Sequence, residues 1–177
     1  MKTITTAAAL ALLISCKSVN DKSKKTDQKT TILDKSSLSC PEDGICKIEL
    51  LKNRSLLIKK DDINSIYYQT TENKDHSIIK YTYTKNKEKG AEDINYTEEV
   101  IFQISNSNSN LELSNSELQN IKIIFGRHCY CKGQAGYFLI DNGDLILIKR
   151  NEKYNLILNF TISEVPQIIN TIEASFQ

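Results

Sequence analysis

The chain predicts a β-rich α+β fold: a curved antiparallel meander sheet, either a partly closed barrel or a sandwich, with one C-terminal helix packed on it. Three observations predict it. Period-two alternation of apolar and polar residues dominates the body of the chain. Each alternating stretch offers one apolar face, whereas parallel strands buried on both faces read as continuous apolar runs. Near the C-terminus the period changes to that of a helix.

The elements follow in chain order. Cys46, Ile48 and Leu50 share one face of a strand, opposite Lys47 and Glu49, and Leu56 and Ile58 continue the pattern after the turn-like Asn53. Ile79, Tyr81 and Tyr83 alternate with Lys80, Thr82 and Thr84, and Val100, Phe102 and Ile104 with Ile101 and Gln103. The serine- and asparagine-rich run from Ser105 to Asn120 reads as a surface loop. Two apolar runs flank Asn142-Gly143, the pair preferred in a two-residue type I′ turn, which predicts a hairpin there. Tyr154, Leu156, Leu158, Phe160 and Ile162 form the longest apolar face, with Asn155, Asn159 and Thr161 turned outward. Val165, Ile168, Ile169, Ile172 and Phe176 then fall at helical spacing, which predicts a helix over about 164–176. Ser163 would cap it, and Pro166 would sit in its first turn, where a missing N–H costs little.

The first residues are of another kind. Residues 1–15 combine Lys2 with the short apolar stretch Ala7 to Ile14, too short for the roughly 20 residues that span a bilayer. Length and flanks suit a cleaved secretory signal. Leu13-Ile14-Ser15-Cys16 resembles the lipobox of bacterial lipoproteins. The resemblance implies cleavage before Cys16, lipid on its sulfur and acylation of its amino terminus, hence a membrane anchor of several chains. Lys17 follows, so the aspartate that retains some lipoproteins in the inner membrane is absent, which favours the outer membrane. The implied location is the cell envelope, outside the cytoplasm. Residues 16–37 are polar and lysine-rich and read as a disordered tether, leaving 38–177 as a single β-rich domain. In type, this body resembles the small lipoproteins of bacterial envelopes, a likeness that rests on no shared motif within it.

Composition narrows function. Lys and Arg number 23 against 22 Asp and Glu, a net charge of +1, without the basic stripe that nucleic acid requires. With Cys16 assigned to lipid, Cys40, Cys46, Cys129 and Cys131 remain of five cysteines, in a compartment where disulfides persist. If Cys129 and Cys131 lie in a strand, their Cα atoms are roughly 6.5 Å apart with side chains running parallel, which disfavours a bond between them. A loop of about 90 residues is worth about 4.6 kcal/mol when closed, against about 2.4 kcal/mol for about 7 residues. The expectation is therefore that Cys40 and Cys46 each bond one of Cys129 and Cys131, in undecided order, the alternative being a local Cys40–Cys46 bridge with two free thiols.

The alternative is a metal- or thiol-handling protein using His128, Cys129 and Cys131, ligand types suited to zinc or copper(I). A strand would turn His128 away from the cysteines, and His76, the other histidine, reads as part of a charged loop. Arg127 and Lys132 flank the cysteines as a solvated rim or an anion site. Tyr67, Tyr68, Tyr81, Tyr83 and Tyr96 either line a cavity or pack the sheet. Glu98 and Glu99 are consecutive and so face opposite ways, a poor carboxylate pair. No nucleophile elbow, zinc-protease pair or phosphate loop is present. The sequence thus points to a non-enzymatic envelope protein without cofactor, binding a partner protein or small molecule or playing a structural role.

Overall fold

The computed structural model describes residues 31–32, 38–87, 96–107 and 110–177. The strands are β1 (Thr31–Ile32), β2 (Gly44–Lys60), β3 (Ile66–Lys85), β4 (Thr97–Ser105), β5 (Leu111–Ser114), β6 (Ile124–His128), β7 (Gly136–Leu139), β8 (Gly143–Arg150), β9 (Lys153–Phe160) and β10 (Thr171–Phe176). They form a six-stranded antiparallel sheet, β1-β2-β3-β4-β6-β7, and a four-stranded one, β10-β9-β8-β5. The β-rich, curved antiparallel fold is as the sequence predicts.

The main core lies between the sheets. Ile48, Ile79, Tyr81, Tyr83, Val100 and Phe102 from the larger sheet meet Leu145, Leu147, Leu156, Leu158 and Phe160 from the smaller. Each of these faces obeys the predicted period of two. The opposite face of the larger sheet is also used. Beyond Asn53, in a left-handed backbone conformation (φ 59°), the β2–β3 register shifts between Lys52 and Arg54. The outer arm of the hairpin bends over until Ile66 pairs with Tyr137, closing β3, β4, β6 and β7 into a small barrel. Leu56, Ile78, Ile101 and Ile124 fill it, ringed by Leu51, Ile58, Tyr68 and Tyr137. Strand β4 is consequently buried on both faces, Ile101 and Gln103 included. Gln103 Oε1 accepts the backbone N–H of Leu56 at 3.0 Å and so meets the polar demand of that burial.

Four local expectations are corrected. The C-terminal segment is a strand, not a helix: β10 pairs with β9 from Thr171 to Phe176, with Ile172, Ala174 and Phe176 buried. Ile172 and Phe176 satisfy a period of four and a period of two alike, and the small apolar Ala174 between them fits only the strand. Ser163 and Pro166 belong to the β9–β10 connection. There Gln167 donates to the carbonyls of Phe160 (3.2 Å) and Ile169 (2.8 Å) and accepts from Ile162 N, doing the work of a helical turn.

Among the described residues, a helical segment lies instead inside the serine- and asparagine-rich run. A 3₁₀ helix, Asn115–Ile121, buries Leu118 and Ile121, and Leu111–Ser114 before it is strand. Glu117 accepts the Ser114 N–H at 3.1 Å, a stop-and-start signal concealed by the polar composition.

Asn142-Gly143 joins the two sheets and makes no hairpin, because β7 belongs to the larger sheet and β8 to the smaller. The two-residue type I′ turn is at Asn151-Glu152, φ 49° and 63°, between β8 and β9.

Thr31 and Ile32, within the expected tether, pair with Leu50 and Glu49 of β2. Farther on, Leu38 bridges to Ala174, and Ser39 N–H donates to Glu173 O at 3.0 Å. The chain thus crosses the free edge of β10 before it turns into β2. Residues 1–15 and Cys16 lie outside the described residues.

Candidate functional site

One end of the larger sheet gathers most of the chemistry-bearing side chains. Strand register sets the arrangement. Cys46, Tyr83, Glu98 and Arg127 face one another in a row across β2, β3, β4 and β6. All four belong to the face that meets the smaller sheet. Thr97 lies opposite His128, and Glu99 opposite Gly126, on the small-barrel face.

Glu98 is fully buried between the sheets. Its carboxylate accepts the backbone N–H groups of Ile168 and Ile169, both at 2.7 Å, and the hydroxyl of Tyr96. Arg127, also buried, donates from Nε to the Tyr96 oxygen at 3.1 Å and lies over its ring. Burial and the hydrogen bond to Glu98 push the Tyr96 hydroxyl up to about 12 against the opposing pull of Arg127. Arg127 Nη1 reaches onward to the carbonyl and side-chain oxygens of Gln134, each at 3.1 Å.

Glu99 occupies the other face. Lys80 Nζ lies 2.5 Å from its carboxylate, the Tyr137 hydroxyl donates at 2.6 Å, and His128 Nε2 is 3.5 Å away. Burial by itself would push this carboxyl up. Hydrogen bonds from His128, Lys80 and Tyr137, with the charge of Lys80, overcome it and hold the group at about 2. Lys80 shows the same balance: burial pulls its ammonium down, and Glu99 and Tyr68 more than offset that, leaving it raised. Burial and the adjacent carboxylate drive the Tyr137 hydroxyl far above its usual range. Tyr137 stacks edge-on against both Tyr68 and His128, at 5.3 Å in each case. Gly126 allows this convergence. A Cβ there would lie 2.7 Å from the Tyr137 ring and 2.8 Å from Glu99 Cγ. Glu99 is thus a saturated, ionised acceptor at pH 7, suited to fixing His128 and Tyr137 in place and unsuited to donating a proton.

The cysteines pair locally, against the long-range expectation. Cys40 bonds Cys46 and Cys129 bonds Cys131, with Cα–Cα distances of 5.6 and 5.2 Å. Two physical reasons account for the difference. Strands β3 and β4 stand between β2 and β6. Three strand spacings, roughly 14 Å, exceed the reach of a disulfide of about 7 Å. The strand also stops at His128, so Cys129-Tyr130-Cys131 is a bend, and the geometry that disfavoured their bond does not apply. In the alternative metal reading, both sulfurs are consumed by their mutual bond and the His128 ring is turned to Glu99. Among the described residues, no three His, Cys, Asp or Glu side chains are grouped to hold a metal ion.

The remaining candidates disperse. Tyr81 and Tyr83 are fully buried packing residues, Tyr68 sits in the small barrel and Tyr67 is exposed. Lys132 is exposed on the bend. His76 belongs to β3, paired with Ser105, and not to a loop. It borders a surface cleft of about 250 Å³ with Gln103, Leu111, Leu113 and Ile121, and its Nδ1 has no partner. Sequence reasoning set Glu99 aside because it tested only a pair with Glu98. The signal that could have found its site is the period-two alignment of Thr97 and Glu99 with a histidine at a strand end and a glycine two residues before it. No protein-family model, no curated protein and no solved structure matches this chain.

Proposed function

We propose that the protein is a lipid-anchored module of the cell envelope, acylated on Cys16, whose β-domain binds a partner protein outside the cytoplasm. The observation that carries the proposal is the coincidence of a lipobox-like Leu13-Ile14-Ser15-Cys16 with a domain in which all four other cysteines are disulfide-bonded. Disulfides persist in oxidising compartments, the destination that such a signal implies.

A partner protein fits better than an enclosed small molecule. The space between the sheets is filled by Tyr81, Tyr83, Phe102, Phe125 and their aliphatic neighbours. The smaller sheet, by contrast, exposes Ile146, Ile148 and Ile157 on its outer face, beside an open groove of about 440 Å³ that includes Glu112 and Arg150. Apolar residues rimmed by charge are the usual anatomy of a protein contact.

Metabolic labelling with a fatty acid tests the anchor. Wild-type chain incorporates label and partitions into detergent, whereas Cys16→Ser does neither. Label retained by Cys16→Ser would refute the assignment.

A further inference from the structure

The bend between β6 and β7 holds a disulfide whose surroundings differ from those of the other one. We propose that Cys129–Cys131 is a thiol–disulfide exchange site that takes two electrons from an exposed dithiol of another protein, opening while the fold stays intact. The inference is independent of the lipid anchor and concerns the described domain alone.

Position is the first argument. Cys40 and Cys46 pack against the main core, and Cys46 Sγ accepts the Tyr81 hydroxyl at 2.9 Å. Cys129 and Cys131 join neither core, are only partly covered, and flank the fully exposed Tyr130. An attacking thiolate has an open approach, with an aromatic ring beside it for contact.

Independence of the loop is the second. Gln134 N–H donates to Cys131 O at 3.1 Å, and Arg127 grips the carbonyl and side chain of Gln134 from its buried seat beside Tyr96. These bonds hold the bend whether the sulfurs are joined or not. Separated thiols therefore stay close enough to close again. A ring with one residue between its cysteines also removes little freedom from the unfolded chain, so opening it costs the fold little.

Charge is the third. Lys132 directly follows Cys131 in the sequence, and a cation near a sulfur favours the thiolate, the better leaving group. The exchange proceeds in two displacements. A partner thiolate attacks one sulfur, forming an intermolecular S–S bond as the Cys129–Cys131 bond breaks. The bonding electrons leave on the other cysteine, which takes a proton from water. The partner's second thiolate then attacks the mixed disulfide and expels the remaining cysteine as a thiolate, which likewise takes a proton from water. The partner dithiol is oxidised to a disulfide, and Cys129 and Cys131 are reduced to thiols.

The test equilibrates the oxidised full chain in glutathione buffers of graded ratio, quenches with N-ethylmaleimide and maps the modified cysteines by mass spectrometry. Cys129 and Cys131 should become modified at a reducing ratio at least tenfold milder than Cys40 and Cys46, with the far-ultraviolet circular dichroism of the sheets unchanged. The oxidised chain should also convert a synthetic two-cysteine peptide to its disulfide, one peptide per chain. Opening of both disulfides together, loss of the sheet signal on opening, or no transfer to the peptide would each overturn the proposal. A Cys40→Ser/Cys46→Ser variant that still folds should transfer equally well.

Discussion

Glu98 and Glu99 are neighbours in sequence, both buried, and separated by the full thickness of a sheet. Alternation along β4 sends one carboxylate into the space between the sheets and the other into the small barrel. Each lies beside a different hydrogen-bond set, and each therefore makes a separate, measurable contribution.

Removal of Glu98 should loosen the connection between β9 and β10. Glu98→Ala leaves the N–H groups of Ile168 and Ile169 and the hydroxyl of Tyr96 without their acceptor. Loss of about 2–4 kcal/mol is expected from such a deletion. Denaturant midpoints measure the loss, and amide exchange at Ile168 and Ile169 should accelerate more than at Ile79. Unchanged exchange at those two amides would count against the assignment.

Glu99 makes acid stability specific. Its folded carboxyl is held at about 2, below the ordinary 4.5, so the stabilisation is fully present above about 4.5 and is lost as pH falls through about 2. Its full size is on the order of 3 kcal/mol, from one pKa unit being about 1.4 kcal/mol. Urea unfolding at pH 7, 4.5, 3 and 2 should show stability falling over that window in wild type. In Glu99→Gln the dependence over the same window should be shallower, with lower stability at pH 7.

Gly126→Ala should disturb both faces of the Glu99 site, because its methyl group would press on the Tyr137 ring and on Glu99 at once. Overpacking of this kind costs about 1–3 kcal/mol. Near-ultraviolet circular dichroism from Tyr137 should change more than the far-ultraviolet signal. Gly133→Ala provides the contrast: its site is open, and only the left-handed backbone (φ 74°) opposes the methyl group, at a cost of about 1 kcal/mol.

Glu152→Gly should stabilise the domain. Glu152 holds φ 63° in the β8–β9 turn, a conformation that glycine adopts freely. The ion pair it would forfeit with Lys149, 3.3 Å long, involves a carboxylate side chain 80% exposed and contributes little. A gain of about 0.5–1 kcal/mol is expected, read as a higher thermal midpoint.

Legibility in the sequence followed the number of neighbours a residue needs. Faces such as Tyr81–Tyr83 and Leu156–Leu158 depend on alternation alone, and they are where the pattern puts them. Ile172 and Phe176 fit two periods equally, so their strand depends on β9 being alongside. Asn142-Gly143 has the chemistry of a hairpin, but β7 was already engaged by β6 and β3. The cysteine pairing failed for the same kind of reason: strand order, which no local pattern encodes, sets β2 apart from β6. Glu99 and His128 meet only because Gly126 lies between their strands' side chains, a relation that needs the register.

The crossing of Leu38 and Ser39 over β10 bears on the order in which the chain can assemble. Those residues near the start pair with Glu173 and Ala174 near the end. Leu38 and Ser39 therefore have no seat until Glu173 and Ala174 are in place. A chain lacking the residues from Thr171 onward would leave both β9 and the Leu38–Ser39 segment with bare backbone edges, open to pairing with another molecule.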